Sequence, residues 1–172
     1  MPATPSTCAA FASPSSDNAV DVALDSTRQW PDEIEALLRG LPEWFGIEQA
    51  LHDYVEHART LPTTAALVDG VLVGACVVRR HNPLSAEIDL LAVRRDEHRR
   101  GVGRRLVEQV ASSLRSEGVR LLQVKTFGPS GDSLEYEWTR AFYEAVGFVP
   151  LEELFTLWGP DNPCLILVMP LQ

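Results

Sequence analysis

The sequence has few cysteines and no cluster of metal ligands. Its three cysteines, Cys8, Cys76 and Cys164, lie far apart, so their spacing supports neither a disulfide framework nor a zinc site. Cys76 and Cys164 fall in apolar strand patterns, which predicts small buried side chains. His52 and His57 share a predicted helix, but a separation of five residues turns them to different faces. We therefore expect no bound metal.

Long apolar segments and targeting signals are also missing. Residues 1–18 are rich in Pro, Ser, Ala and Thr and lack the basic start and apolar run of a secretory signal. This composition predicts a disordered N-terminal tail ahead of one domain over residues 19–172. No later run is long enough to span a bilayer. These absences predict a cytoplasmic protein without a membrane partner.

Basic residues are in the minority, 15 against 24 acidic ones, and the formal net charge is −9. An acidic protein disfavours nucleic acid as a partner and attracts cationic molecules. The Gly-x-x-x-x-Gly-Lys-Ser/Thr motif of one large class of nucleotide-binding proteins is absent. A small cationic partner therefore fits the charge balance better than a polyanion.

The charge reverses in and just before the segment HRRGVGRRL, residues 98–106. Six arginines stand there against only Asp96 and Glu97: Arg94, Arg95, Arg99, Arg100, Arg104 and Arg105. Gly101 and Gly103 mark the corner between an apolar strand pattern and a helical pattern. Such a corner presents unpaired N–H groups and the positive end of a helix dipole, which together receive phosphate. The segment predicts a polyphosphate ligand, with a tight turn carrying solvated arginines as the alternative.

Apolar periodicity predicts the element order βααβββαβαββ. The predicted elements are a strand at 18–26, a helix from Pro31 that breaks at Pro42, a helix whose apolar stripe runs from Ile47 to Ala58, two strands within 63–80, a strand at 85–93, a helix at 102–117, a strand at 119–127, a helix that ends at Gly147, and strands near 148–157 and 164–170.

Local signals refine three of these elements. Asp69-Gly70 predicts a type I′ hairpin between the two strands of 63–80. Gly118 predicts the end of the 102–117 helix. In the last helix, the predicted buried face consists of Trp138, Ala141, Phe142 and Ala145.

Two motifs together resemble the GCN5-related N-acetyltransferase (GNAT) superfamily. One is the Gly-x-Gly corner, which begins eight residues after Val93. The other is TRAFYEAVGF (139–148), which carries the family's Phe-Tyr…Gly-Phe pattern at Phe142, Tyr143, Gly147 and Phe148. The resemblance covers residues 20–172 and implies an α/β (α+β) fold of the acyl-CoA N-acyltransferase type, a mixed central sheet of about seven strands with helices on both faces. Two positions depart from the family pattern: His98 replaces the usual Arg or Gln, and Tyr136 stands where Asn is frequent.

The resemblance implies a binding site for acetyl-CoA as the acetyl donor. The backbone of Leu91 and Val93 would pair with the pantetheine arm, and a nearby N–H would stabilise the oxyanion. The candidates for the diphosphate are His98, Arg99, Arg100, Gly101, Val102, Gly103 and Arg104. Arg140 is a candidate contact to the phosphate or adenine end. Ordinary strand packing is the alternative for Leu91 and Val93, and a surface charge is the alternative for Arg140.

Acetyl transfer to an amine requires a neutral amine and a stabilised oxyanion, and the departing thiolate benefits from a proton. The period-two rule predicts that Glu87 and Asp89 share a strand face with Leu91 and Val93, and their proximity predicts a raised pKa for at least one carboxylate. The resemblance favours Glu87 as the general base through a water, with Asp89 as the alternative. Either carboxylate could instead bind the substrate cation. Tyr143 is the implied proton donor to the thiolate, or else a packed interfacial aromatic.

Trp44, Phe45 and Trp158, with Asp161 nearby, stand in the regions from which family members build the acceptor pocket. For each aromatic side chain, a place in the core is the alternative. The resemblance thus implies an acetyl-CoA-dependent N-acetyltransferase that acts on a primary amine of a small molecule or a protein by direct attack on the thioester. The competing hypothesis is a catalytically inactive CoA-binding sensor or assembly module of the same fold. A homodimer is compatible with the resemblance.

Overall fold

A computed structural model describes residues 21–159 and 161–172, and within them seven strands form one sheet. The strands are β1 (Ala23–Asp25), β2 (Thr63–Val68), β3 (Val71–Asn82), β4 (Ser85–Val93), β5 (Leu121–Phe127), β6 (Val149–Leu154) and β7 (Cys164–Pro170). Their order across the sheet is β1-β2-β3-β4-β5-β7-β6. Only β4 and β5 are parallel neighbours. The predicted mixed sheet is confirmed, and the predicted tail, residues 1–18, lies outside the described residues.

The helices in this part of the chain are α1 (Pro31–Arg39), α2 (Pro42–Phe45), α3 (Glu48–Thr60), α4 (Val102–Ser116) and α5 (Leu134–Ala145). Proline begins both α1 and α2, where its missing N–H costs no helical hydrogen bond. The prediction of two helices before β2 is therefore incomplete. The first helix ends at Arg39, with Gly40 as its C-cap, and Pro42 then starts the single turn of α2.

The core lies on both faces of the sheet, as predicted. On one face, α1 and α3 bury side chains such as Ile34, Leu38 and Val55 against Val77 and Leu90. On the other face, α4 packs Leu106, Val107 and Val110 against residues such as Leu122 and Leu167. Cys76 and Cys164 are free and fully buried in these layers, which confirms the prediction for both thiols.

The turn predictions hold in detail. Asp69 and Gly70 have φ angles of 50° and 79°, and two successive positive φ angles are the property that defines a type I′ hairpin. Gly118, at φ 84°, follows the last turn of α4 and provides the left-handed residue that ends the helix. Both glycines are therefore required by backbone geometry.

The predicted buried face of α5 is wrong except for Phe142, which packs against the core. Trp138, Ala141 and Ala145 are exposed, and the side turned inward carries Tyr136 and Thr139 in addition to Tyr143. The physical reason is that α5 faces a cleft instead of a continuous apolar layer. Hydroxyl-bearing side chains suit that position because their polar ends find partners there.

Candidate active site

The centre of the sheet is split between its two parallel strands. β4 pairs with β5 only from Ser85–Ile88 to Leu121–Val124. Beyond that point, β4 continues to pair with β3 up to Val93, and β5 continues to pair with β7 up to Phe127. Each strand keeps its outer neighbour while the two separate from each other. This leaves a wedge-shaped gap whose walls are Asp89–Val93 and Lys125–Phe127.

A β-bulge at Asp89 changes which way β4 presents its side chains. Val78 pairs with Ile88 and Val77 with Leu90, so Asp89 is the extra residue. Before the bulge, the side chains of Glu87 and Ile88 lie on opposite faces of β4, and Glu87 shares its face with Asp89. Beyond it, Leu91 and Val93 pack on the α4 side, whereas Asp89 contacts α3. The prediction that Glu87 and Asp89 share one face is confirmed, but the prediction that this face includes Leu91 and Val93 is wrong, because the bulge shifts the alternation by one residue.

The gap leaves a strand edge open. The Arg94 amide donates to the Val73 carbonyl at 2.7 Å, and hydrogen bonds to one antiparallel neighbour alternate along a strand. Leu91 and Val93 therefore turn their backbone groups away from β3 and towards the gap. The Val93 carbonyl accepts a hydrogen bond from His98 Nε2 at 2.7 Å. His98 thus binds the main chain at the same edge where the resemblance implies the pantetheine arm.

The start of α4 forms the glycine corner predicted from the sequence. Gly101 is its N-cap, with φ 83° and no side-chain cap, and a Cβ added at Gly101 would meet no described atom within 4 Å. The first helical hydrogen bond runs from the Arg105 amide to the Gly101 carbonyl at 3.0 Å. The amides of Val102, Gly103 and Arg104 therefore have no partner within the helix. They form a donor group at the positive end of the dipole, next to open space.

Most arginines of this segment bind protein groups. Arg100 pairs with the buried Glu97 at 2.9 Å, and Arg104 donates to the Ala145 carbonyl at the end of α5 at 3.0 Å. The guanidinium of Arg99 lies 5.8 Å from the centre of the Trp138 ring. Arg140, on α5, donates to the Phe127 carbonyl at 2.9 Å. Arg100, Arg104 and Arg140 therefore hold neighbouring elements in place. The donors left at the corner are main-chain amides and Arg99, which makes no hydrogen bond or ion pair among the described residues.

Gly103 serves close packing. A Cβ there would lie 3.2 Å from two ring atoms of Phe142, which is tighter than an unstrained contact. The missing side chain lets α4 approach α5 and keeps the corner beside the gap. This second role of Gly103 depends on its contact with Phe142 and is not predicted by the Gly-x-Gly motif.

Glu87 is tightly held by its neighbours. Its Oε2 atom accepts hydrogen bonds from Lys125 Nζ at 2.6 Å, Gln123 Nε2 at 2.7 Å and His81 Nε2 at 2.8 Å. The described residues place no hydrogen bond on Oε1. Burial by itself would raise the pKa of Glu87, but the hydrogen bonds from Lys125, Gln123 and His81 outweigh it and hold the pKa below its ordinary value. The predicted upward shift is therefore wrong for Glu87, because a cation that the sequence analysis did not consider lies beside it.

Asp89 also has a fixed cation. Arg79 binds its Oδ1 through both Nε and Nη2, at 2.9 and 2.8 Å, and His57 Nδ1 lies 2.9 Å from Oδ2. The same Nη2 is 3.0 and 3.1 Å from the two ring nitrogens of His57. In the plane of the ring, a position this close to both nitrogens would collide with Cε1, which lies between them. Arg79 Nη2 therefore lies above the face of the His57 ring. Both carboxylates of β4 are thus ionic partners within the protein.

Tyr143 reaches the gap from the α5 side. Its side chain is buried, and burial raises the pKa of its hydroxyl far above the ordinary value. Together with Asp89 and Leu91 it lines a cavity of about 100 Å³ at the base of the gap. The hydroxyl therefore stays protonated and can donate a hydrogen bond, but it releases its proton only to a strong base.

The predicted acceptor residues Trp44, Phe45 and Trp158 line this same cavity. Asp161 does not line it. The sequence analysis assigns no acceptor role to Tyr54, Lys125, Thr126, Tyr136 or Thr139, which also line the cavity. The apolar stripe from Ile47 to Ala58 predicts Tyr54 as a core residue instead. Nothing in the linear sequence marks the other four as neighbours, because they meet only where β5 leaves β4 and α5 passes over the opening.

Two further features bear on what the cavity holds. Thr126 Oγ1 is buried at the gap and has no hydrogen-bond partner among the described residues. A buried hydroxyl without a partner is costly, so a bound molecule that offers a polar group would relieve it. A wider, mostly apolar groove of about 700 Å³ lies between α1, Val71 and Arg94. It contains none of the acid, base or amide groups described above.

The parts of the chain that the structure describes contain neither a cluster of metal ligands nor a membrane-spanning helix. Residues 21–159 and 161–172 contain no group of three or more His, Cys, Asp or Glu side chains arranged to hold a metal ion. None of the helices in those ranges combines the length and apolar character needed to cross a bilayer.

Sequence comparison identifies the family. Residues 23–148 match the acetyltransferase (GNAT) family. The chain belongs to this family. The matched region contains the glycine corner, the split between β4 and β5, and Tyr143. The GNAT resemblance inferred from the two motifs is therefore confirmed. A comparison with curated protein sequences finds no match.

Solved structures of GNAT proteins have the same fold. An aminoglycoside 6'-acetyltransferase type Ii aligns with a TM-score of 0.69 at 21% identity, covering 87% of this chain and 97% of its own. The ribosomal-protein-S18-alanine N-acetyltransferase from Escherichia coli aligns with a TM-score of 0.67 at 17% identity, covering 88% of this chain and 94% of its own. A GNAT acetyltransferase from Elizabethkingia anophelis with acetyl-CoA bound aligns with a TM-score of 0.62 at 16% identity, covering 90% of this chain and 99% of its own. At these identities the likeness concerns the fold.

Proposed function

We propose that the protein is an acetyl-CoA-dependent N-acetyltransferase that transfers acetyl to a primary amine by direct attack on the thioester. One observation carries the proposal. An open strand edge at Leu91 and Val93 lies between the unpaired amides at the start of α4 and a cavity lined by Asp89, Tyr143 and aromatic side chains. Membership of the GNAT family supports acetyl-CoA as the donor.

The residues present fit that donor. The amides of Val102, Gly103 and Arg104 would bind the diphosphate, and the space in front of Gly101 leaves room for it. The open edge of β4 would pair with the extended pantetheine arm as a further strand does. Val93 would contribute its N–H, since its carbonyl is already bonded to His98. Arg99 lies at the outer rim of the corner, where it would add positive charge near the phosphates.

Three groups would serve the chemistry. Glu87, held through Oε2, would accept the amine proton at Oε1 through a water. A main-chain N–H at the Leu91–Val93 edge would stabilise the oxyanion. The Tyr143 hydroxyl would donate a hydrogen bond to the sulfur as the carbon–sulfur bond breaks. Because the pKa of Tyr143 is raised, this contact would stabilise the departing thiolate without transferring the proton completely. A thiol with an ordinary pKa of about 8.5 does not need that proton in order to leave.

The acceptor class is the open part of the proposal. The solved relatives described above include one named for an aminoglycoside and one named for an alanine of a ribosomal protein. A primary amine is common to both kinds of acceptor. A cytoplasmic location and a homodimer remain predictions from the sequence.

The test combines binding with turnover. Acetyl-CoA should raise the melting temperature of the purified protein, and free thiol should appear when acetyl-CoA and an accepted amine are both present. Stabilisation by acetyl-CoA without thiol release for any amine in a broad panel would favour the inactive CoA-binding module. No stabilisation at millimolar acetyl-CoA would contradict both hypotheses.

A further inference from the structure

One side of α5 is apolar but faces water. Leu134, Trp138, Ala141 and Ala145 are all exposed, and their spacing along the chain places them on one face of the helix. Trp138 dominates this face, because it is 53% exposed and its indole is a large apolar surface. The cavity at the base of the gap does not include it. A continuous exposed apolar face is a common mark of a binding site.

This face meets the glycine corner at two points. Phe142 lies one helical turn after Trp138, and a Cβ added at Gly103 would come within 3.2 Å of the Phe142 ring. The Arg99 guanidinium lies 5.8 Å from the centre of the Trp138 ring. Because one helical turn advances about 5.4 Å, Trp138 lies about one turn along α5 from the place where this helix meets the start of α4.

Arg99 extends from the corner towards the indole, and its charge is available to a ligand. The side chain is exposed and forms no hydrogen bond or ion pair among the described residues. In contrast, Arg100 is paired with Glu97, and Arg104 donates to the Ala145 carbonyl. A free guanidinium binds phosphate oxygens through two parallel hydrogen bonds. Arg99 can therefore bind an anion that lies between the corner and Trp138.

These groups follow one another in the order of the parts of CoA. The amides of Val102, Gly103 and Arg104 would bind the diphosphate, Arg99 stands next to them, and Trp138 stands beyond Arg99. In CoA, the diphosphate is followed by a ribose with a 3′-phosphate and then by adenine. A phosphate monoester suits a free guanidinium, and a flat purine suits an indole, because bases stack on aromatic side chains. A phosphopantetheine group without the nucleotide would meet neither residue.

We infer that the 3′-phosphoadenosine end of CoA binds outside the gap, with adenine stacked on Trp138 and the 3′-phosphate paired with Arg99. This inference rests on the proposed acetyltransferase function and specifies how the donor is recognised. It assigns the donor as free acetyl-CoA and not as acetyl carried by a phosphopantetheine group on another protein. Arg140, the candidate from the sequence for this end of the cofactor, already donates to the Phe127 carbonyl.

The test uses ligands that end at different points of the same molecule. Isothermal titration of the full chain compares CoA with 3′-dephospho-CoA, which lacks the 3′-phosphate, and with 4′-phosphopantetheine, which also lacks the adenosine. Trp138→Ala should lower the affinity for CoA by about tenfold and leave the affinity for 4′-phosphopantetheine within about twofold. Arg99→Gln should lower the affinity for CoA by about threefold or more and leave that for 3′-dephospho-CoA within about twofold. If each variant weakens its shorter ligand as much as CoA, the inference is wrong.

Two control variants separate these contacts from general effects of charge and shape. Trp138→Phe keeps a flat aromatic face, so it should retain the affinity for CoA to within about threefold. Arg105→Gln removes an equal charge from the first turn of α4 but keeps Arg99 beside Trp138, so the ratio of CoA to 3′-dephospho-CoA affinity should not change. A Trp138→Phe variant as weak as Trp138→Ala, or a changed ratio for Arg105→Gln, would contradict the assignment.

The possible results distinguish this inference from the proposed function. If the wild-type protein binds neither CoA nor acetyl-CoA, both fail. If it acetylates an amine but Trp138→Ala weakens CoA and 4′-phosphopantetheine by the same factor, only the inference fails. Tryptophan fluorescence gives a second readout, since CoA should quench the wild-type protein more than 4′-phosphopantetheine does, and this difference should disappear in Trp138→Ala. A difference that persists would show that the adenine does not stack on Trp138.

Discussion

Gly101 and Gly118 adopt almost the same backbone conformation at opposite ends of α4. Their φ angles are 83° and 84°, and a Cβ added at either would meet no described atom within 4 Å. A side chain at either position therefore carries a similar backbone cost, about 1–2 kcal/mol. Only Gly101 lies beside the unpaired amides at the start of the helix, so the pair separates backbone strain from ligand binding.

Gly101→Glu should abolish acetyl-CoA binding while costing little more stability than Gly118→Glu. The new carboxylate would occupy the proposed diphosphate position and repel it. Loss of two charge-assisted hydrogen bonds corresponds to a decrease in affinity of about 100-fold or more. Isothermal titration with acetyl-CoA measures the affinity, and urea denaturation measures the stability. Equal affinities for both variants would remove the glycine corner from the binding site.

Gly103→Ala should destabilise the fold by about 1–3 kcal/mol, because the new methyl group overpacks the contact with Phe142. The double variant Gly103→Ala/Phe142→Leu should recover part of the loss, since the ring that blocks the methyl group is gone. Chemical denaturation of the two single variants and the double variant gives the coupling. Additive losses would show that the α4–α5 contact does not require glycine.

Tyr143→Phe should lower kcat by about 100-fold and leave the affinity for acetyl-CoA within about twofold. The variant keeps the ring and its packing against Phe142 and Phe148 but removes the hydroxyl that would meet the sulfur. Tyr136→Phe, on the same helix, loses a hydroxyl that is bonded to the Trp44 carbonyl, and its kcat should fall much less. Equal losses in kcat and in affinity at Tyr143 would exclude the hydrogen-bond donor role.

Glu87→Gln should reduce the rate by about 100-fold at pH values below the pKa of the acceptor amine, where removal of the amine proton limits the reaction. The loss should shrink above that pKa. Glu97→Gln is the control, since Glu97 is another nearly buried carboxylate, but its partners are Arg94 and Arg100 near the glycine corner, whereas Glu87 is bonded to Lys125 of the cavity lining. An unchanged rate for Glu87→Gln at every pH would show that Glu87 is not the general base.

The lowered pKa of Glu87 also predicts acid sensitivity of the fold. A carboxylate whose pKa is lower in the folded state stabilises the fold at neutral pH, and this contribution is lost as the pH falls below the ordinary glutamate value of about 4.3 towards the folded-state value. Between pH 7 and pH 3, wild-type protein should therefore lose more unfolding free energy than Glu87→Gln. Urea titrations across this range measure the difference, and parallel pH profiles would contradict the assignment.

The order of the elements apart from α2, and the glycine corner, could be predicted because both depend on neighbours in the chain. The hairpin at Asp69-Gly70 and the end of α4 at Gly118 follow from which residues tolerate a positive φ angle. Leu106, Val107 and Val110 recur at helical spacing in the sequence and are buried on one face of α4, as such a stripe predicts. Each of these properties is set by a few consecutive residues.

The predictions for α5 and for β4 past Asp89 failed for different reasons. Periodicity assumes that an apolar face meets a continuous core, but α5 covers a cleft, so Trp138 faces solvent and Thr139 faces inward. Strict alternation along β4 assumes no bulge, and the extra residue at Asp89 is visible only through its pairing with β3. The linear pattern contained no signal for either exception.

The amino-acid sequence by itself determined the family, the course of the strands and helices, and the corner at Gly101, because backbone preferences and short motifs act over a few residues. Only the tertiary structure decided the charge state and shape of the cleft. Lys125 and Glu87 are 38 residues apart in the chain and 2.6 Å apart in the fold, and Trp44 and Thr139 are 95 residues apart yet share a hydrogen bond. Electrostatic and packing energies depend on distance in space, which the sheet and its split establish only once the whole domain has folded.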